Sequence, residues 1–388
     1  MAGSLAARTL ARPAFDAAFE APAFLAAMLR FESGLAAAQA AEGIIPTASA
    51  AAIEVACRDF TCDVEAFVAE GKRSATLAVP LVRMLKEQVA RASPEAAKHL
   101  HLGATSQDVL DTAMALCLRE CLDDADAALR SAIRGLATKA REQRATPAMG
   151  RTLMQSAIPI TAGLRIARWA VALGQDRDRI ARARETALAV QLGGPVGALE
   201  ALGPKAPAVR RRLAFSLGLA DVPAWHSHRN AWLELLGAIA LTVLTIGKIA
   251  RDVSLLATAE AGEMREAPAS EGAGRSSAMP HKRNPVGCAH ALAAATKAPG
   301  LLAAIHAGAL GEHERALGGW QAELALVPEL AGCLGSALDF IEPLGAALVL
   351  DAARMQANIA LAGADANDAR AAIRATDEAL AALSPHLP

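Results

Sequence analysis

Residues 272–285, GAGRSSAMPHKRNP, crowd several reactive side-chain types into one short stretch. Ser276 and Ser277 follow two closely spaced glycines, and His281, Lys282, Arg283 and Asn284 stand between Pro280 and Pro285. A serine hydroxyl can pass a proton, a lysine ammonium can hold an anion, and an asparagine amide can orient a carboxylate. An exposed connector with solvated charges has the same composition, and on spacing alone that plainer reading is favoured.

The surrounding chain says what must position this stretch. Its 388 residues are 53% hydrophobic and 20% charged with a net charge of −1, enough for one large core or several domains. Near-neutral charge argues against a nucleic-acid partner, and the absence of tyrosine with only 3% aromatic residues removes base-stacking platforms. Alanine and leucine dominate, which predicts an all-α fold. None of the six cysteines sits in a CxxC or a zinc-like cluster, so they read as reduced cytosolic thiols, with Cys117 and Cys121 in a helix core. The N-terminus lacks the apolar region of a signal peptide. The most apolar run, residues 235–247, has 13 uncharged residues. That falls short of the ~20 a membrane span needs, so it reads as a buried helix in a soluble, cytoplasmic protein.

Periodicity and punctuation predict helices over 22–42, in shorter pieces over 47–98, from Thr105 or Ser106 to about 143, and over 159–190. The glycine-rich stretch 191–204 reads as a loop. Over 228–264, Trp232, Leu236, Ile239, Val243, Ile246, Ala250 and Val253 recur in steps of four and three, a heptad seam with apolar neighbours. Such a helix would be roughly 55 Å long, which predicts that other subunits cover part of it. Pro285 suits the first turn of a helix running to about 311, and helices near 317–341 and 351–383 follow. The expected division is an N-terminal helical domain (1–104), a central long-helix bundle (105–348) carrying a mobile loop (268–285), and a short C-terminal segment (349–388).

The full string SSAMPHKRNP resembles the signature loop of the fumarase/aspartase superfamily, whose members make or break C–O and C–N bonds beside a carboxylate. HLGATSQDVLDTAMAL (101–116) and GRTLMQSAIPIT (150–161) resemble two further regions of that superfamily, in order, so the likeness spans roughly residues 1–345. QLGGPVGALEALG, PAWHSHRNAWLEL and MPHKRNPVGCAHAL look most like its 3-carboxy-cis,cis-muconate cycloisomerase branch in bacteria. The resemblance implies lactonisation of a tricarboxylate from protocatechuate breakdown, without metal or organic cofactor, in a homotetramer whose sites combine three subunits.

Carried over residue by residue, the resemblance implies that Ser276 handles the proton on the carbon α to a carboxylate. Lys282 and Asn284 would hold the carboxylate whose charge spreads in that step. Thr105, Ser106, Thr152 and Gln155 would donate hydrogen bonds to other carboxylates, with His101 and Arg229 as further substrate contacts. Ser277 and His281 would shape the loop, and His226 and His228 receive no role.

Three departures stand out. Arg275 replaces a glycine before the serine pair, a change that stiffens the lid or adds a cation. Leu153 stands where superfamily lyases usually carry histidine. Leucine moves no proton, which suits lactonisation: the nucleophile is the substrate's own ionised carboxylate, and only one proton must be delivered. The part beyond residue 350 is short against the family's usual third domain and reads as a truncated one. The competing expectations are another lyase, adenylosuccinate lyase foremost, and a non-catalytic helical structural protein, although the loop serine, lysine and asparagine are all present.

Overall fold

The computed structural model describes residues 5, 7–276, 278–279 and 282–387; Ser277 and His281 lie outside them. The expected all-α fold is what forms. In the first hundred residues the helices are α1 (Pro13–Phe19), α2 (Ala21–Ala41), α3 (Thr47–Arg58), α4 (Val64–Ser74), α5 (Ala78–Ala92) and α6 (Pro94–Ala97). They wrap the first half of α7 (Ser106–Glu142), the longest helix, with Phe31, Leu35, Leu81 and Leu110 fully buried between them. Each such side chain contributes about 1.5–3 kcal/mol by leaving water.

After α7 comes an antiparallel hairpin, β1 (Pro147–Thr152) and β2 (Gln155–Thr161), and then α8 (Ala162–Ala187). The sequence expectation of helix from 159 is corrected here. Pro159 and the β-branched residues around it pair across the hairpin, and helix begins only where the Thr161 hydroxyl caps the Leu164 N–H. The remaining helices are α9 (Ala206–Leu217), α10 (Asn230–Leu256), α11 (Val286–Gly308), α12 (Gly319–Ala347), α13 (Ala352–Leu361) and α14 (Arg370–Ala382). A second two-stranded pair joins β3 (Met264–Glu266) to β4 (Leu348–Leu350).

Helices α7, α8, α10, α11 and α12 form the bundle. Arg177 and Arg184 of α8 meet Asp126 and Asp123 of α7, so these two run antiparallel. Trp169 of α8 donates to Asp252 near the end of α10, which therefore runs parallel to α7. Gly135 and Gly345 let α7 and α12 touch backbone to backbone, since a Cβ on either would lie 3.2 Å or less from the other. The heptad seam of α10 is buried as expected, but the helix has 27 residues, not the 37 its apolar stretch suggested. That makes it roughly 40 Å long, and α7, at roughly 55 Å, is the long rod. Helices α10, α11 and α12 are each long and apolar enough to cross a membrane, yet here they pack into the bundle, α11 with more of its surface outward than the other two. The C-terminal segment docks on the same core, inserting Met355 and Leu383.

Candidate active site

The residues singled out from the sequence fall into two groups at opposite ends of the bundle. The first gathers at the start of α7. Thr105 is the helix N-cap residue and its backbone N–H donates to Asp108 Oδ2 at 3.0 Å. Asp108 also accepts from the N–H groups of Gly193 and Gly194 and lies 2.7 Å from His226 Nε2, all of it buried. The helix N-terminus is thus already matched by a carboxylate. An incoming anion would meet the partly exposed hydroxyls of Thr105 and Ser106 and the ring of His101, which is tied to Glu32 of α2 at 2.6 Å.

Arg229 sits at this end but not as the sequence suggested. Its guanidinium is buried against Asp111 (2.6 Å) and Glu323, with its cationic carbon 4.4 Å from the centre of the Trp225 ring. Trp320 Nε1, Gln107 Nε2 and Gln191 Nε2 also donate to Asp111, at 2.9, 3.1 and 3.5 Å. Burial pushes the Glu323 carboxyl up, opposed by Arg229. Because Arg229 is spent on internal carboxylates, it locks α7, α10 and α12 together rather than facing solvent. The sequence could not show this, since its partners lie about a hundred residues away on either side.

The second group occupies the other end. Thr152 and Gln155 are direct cross-strand partners beside the turn of the β1–β2 hairpin, and both are exposed. The turn residues are Leu153 and Met154, both with positive φ (48° and 66°) and 95% and 72% exposed. A two-residue turn of this kind normally uses Asn-Gly, so two apolar side chains in left-handed backbone at an exposed tip are unusual. Behind the tip, Arg151 forms a two-pronged pair with Glu263 at 2.5 and 3.0 Å, and Asn358 donates to the same buried carboxylate. Glu263 leads into β3 and so into the signature loop, which puts hairpin and loop at one end of the bundle.

The signature loop leaves β3 at Glu266 and returns at α11. Glu266 accepts the N–H groups of Gly287 (2.9 Å) and Cys288 (3.1 Å), fastening the outgoing strand to the first turn of the returning helix. Nearer the tip, Asn284 N–H donates to the Gly274 carbonyl at 2.8 Å, and Arg275 bridges Arg283. Gly274 has φ +71°, and a Cβ there would lie 2.4 Å from the Asn284 carbonyl oxygen, so this approach needs glycine. Ser276 Oγ accepts the Met279 N–H at 3.2 Å, and its own hydroxyl donates to no partner among the described residues. Lys282 and Asn284 are exposed beside it.

Hairpin and loop, with their hydroxyl, amide and ammonium groups, match the chemistry of carboxylate binding and proton delivery. A family model described as lyase matches residues 8–300. The chain belongs to that family. It is a fumarase/aspartase-superfamily lyase fold, and its relatives are specific. A protein of Bradyrhizobium diazoefficiens named 3-carboxy-cis,cis-muconate cycloisomerase is 45% identical over 92% of this chain and 79% of its own length. A nitrosuccinate lyase of Streptomyces davaonensis is 39% identical over 90% of this chain and 75% of its own. The crystal structure of 3-carboxy-cis,cis-muconate lactonizing enzyme from Pseudomonas putida superposes with a TM-score of 0.85 at 36% identity, covering 98% of this chain and 88% of that one.

Sequence reasoning missed three features of the site: the hairpin, the Asp108–His226 pair and the Glu32–His101 pair. The hairpin lacked the Asn-Gly signal. The pairs join residues 118 and 69 positions apart, which no local pattern reveals.

Proposed function

We propose that this protein is a cycloisomerase that interconverts 3-carboxy-cis,cis-muconate and 4-carboxymuconolactone in protocatechuate catabolism. The observation that carries this reading is the 45% identity, over 92% of the chain, to a protein of that name. The loop chemistry fits the reaction. One carboxylate oxygen of the substrate adds to a C=C carbon, and the electron pair moves to the neighbouring carbon and the carboxylate conjugated with it. Lys282 and Asn284 hold that carboxylate while its charge grows, and the Ser276 hydroxyl delivers a proton to the carbon. The product keeps two of the three carboxylates, and the one proton consumed is returned to serine from solvent.

The two groups of residues serve one site only if separate chains supply them. Within one chain the 37 residues of α7 place Thr105 and Ser106 roughly 55 Å from the hairpin and loop. No small tricarboxylate spans that gap. A homotetramer, in which bundles pack antiparallel and bring unlike ends together, resolves it, and the exposed apolar tip at Leu153 and Met154 suits contact with another subunit.

The test is incubation with 3-carboxy-cis,cis-muconate, following loss of its ultraviolet absorbance and identifying the lactone by NMR. The second reading, an eliminating lyase, is favoured by the nitrosuccinate lyase relative. Release of fumarate from adenylosuccinate, or of nitrite from nitrosuccinate, with no turnover of the muconate would replace the first reading with the second.

A further inference from the structure

His101 is held in an uncommon way. Its backbone φ of +59° lies in the left-handed region that a non-glycine residue adopts only under constraint. Its Nδ1 lies 2.6 Å from Glu32 Oε1, and the Glu32 side chain is wholly buried in the middle of α2. The second oxygen of that carboxylate, Oε2, has no hydrogen-bond partner among the described residues. A buried carboxylate so poorly supplied with donors is costly unless a positive charge sits against it. The charge on hand is the His101 ring.

Two further titratable groups, Asp108 and Cys57, bear on this pair. Burial works against a charged His101, but Glu32 and, more weakly, Asp108 in the first turn of α7 oppose it, and the balance lifts the ring above the ordinary histidine range. Cys57 on α3 also feels Glu32, and burial pushes its thiol well up, so it remains neutral. The His101 side chain is 18% exposed, and among the described residues none hydrogen-bonds its Nε2.

Protonation decides what that nitrogen offers. With a single proton, placed on Nδ1 toward Glu32, the ring would turn a lone pair at Nε2 toward any bound carboxylate and repel it. With two protons, Nε2–H becomes a charge-assisted donor. We propose that Glu32 is a positioning residue that keeps His101 as an imidazolium, so that Nε2–H donates to a substrate carboxylate held at the Thr105–Ser106 corner. The ligand class, a multiply charged carboxylate, rests on the function proposed above.

The experiment compares wild type, Glu32→Gln, Glu32→Asp and His101→Gln as full-length proteins, with KM and kcat measured between about pH 5.5 and 8. Glu32→Gln is expected to raise KM about tenfold at the alkaline end, the scale of one charge-assisted hydrogen bond. Its kcat should stay within about threefold, since Ser276 is untouched. As pH falls, KM should return toward the wild-type value, because His101 then protonates without help. His101→Gln should raise KM with no such return. Glu32→Asp, which retains the charge, should follow the wild-type profile and stands in if the glutamine variant folds poorly. A histidine NMR titration, with His101 assigned by difference against His101→Gln, gives a readout independent of turnover: its midpoint should drop in Glu32→Gln. A midpoint that does not move, or equal losses in KM and kcat at every pH, overturns the inference. A midpoint that moves in a protein inert to the muconate upholds the pair and overturns the proposed function instead.

Discussion

Ser276 Oγ accepts the Met279 N–H and donates to no partner among the described residues, which suits the proton delivery proposed for it. Ser276→Ala is therefore expected to lower kcat by at least about a hundredfold, the usual scale for losing a placed proton-transfer group. KM should change little, because the groups proposed to hold the carboxylate, Lys282 and Asn284, remain. Steady-state kinetics of Ser276→Ala beside Ser277→Ala checks the choice within the pair: a crippled Ser277→Ala with an active Ser276→Ala would reverse the assignment. Arg275 and Arg283 face each other across the same bridge, so the loop carries three neighbouring cations with Lys282. That concentration of charge suits an anion with three carboxylates better than one with two.

At the scale of elements, the loop depends on how its two ends are held. Glu266 supplies the acceptors that the first turn of α11 would otherwise lack, and Gly287 leaves room for it, since a Cβ there would lie 2.8 Å from the carboxylate. Removing the carboxylate in Glu266→Ala should destabilise the α11 start by about 0.5–2 kcal/mol, as for a lost helix cap. The expected consequences are faster proteolytic cleavage within 268–285 and a lower kcat, measured by limited trypsin digestion and by turnover. Glu266→Gln, which keeps one acceptor, should recover part of both. Equal cleavage rates in all three proteins would mean that the loop is held elsewhere. The hairpin has a comparable anchor in Glu263, which gathers Arg151, Arg165 and Asn358 from three separate elements.

For the whole molecule, the governing fact is length. Helix α7 keeps its first-turn residues roughly 55 Å from the hairpin and loop, so sites of the proposed kind must be assembled between copies. Sedimentation or light scattering should find a tetramer, and an active species of about 40 kDa, the mass of one chain, would sink the shared site. A stricter check mixes two inactive proteins, Ser276→Ala and a Thr105→Ala/Ser106→Ala double variant, after mild dissociation. Because the damaged residues come from different chains, some reassembled sites would be wholly intact and activity should return. No recovery from a correctly reassembled mixture would place both sets of residues in one chain's site.

The sequence by itself determined the parts whose physics is local. Composition and heptad spacing were enough for an all-helical bundle and for the buried seam of α10, because helix propensity and a 3.5-residue apolar repeat act over a few turns. The Thr105–Asp108 contact marks the start of α7 for the same reason. The loop residues Ser276, Lys282 and Asn284 were legible as a string, since their spacing is itself the motif. Tertiary structure alone decided what distant segments do to one another. It turned Arg229 from an apparent substrate contact into a buried bolt between Asp111 and Glu323, set His226 on Asp108, and placed Glu32 behind His101. It also separated two motif groups by the length of a helix. A charge's role depends on which partner reaches it after folding and on how much water is left there, and neither is encoded in the residues beside it.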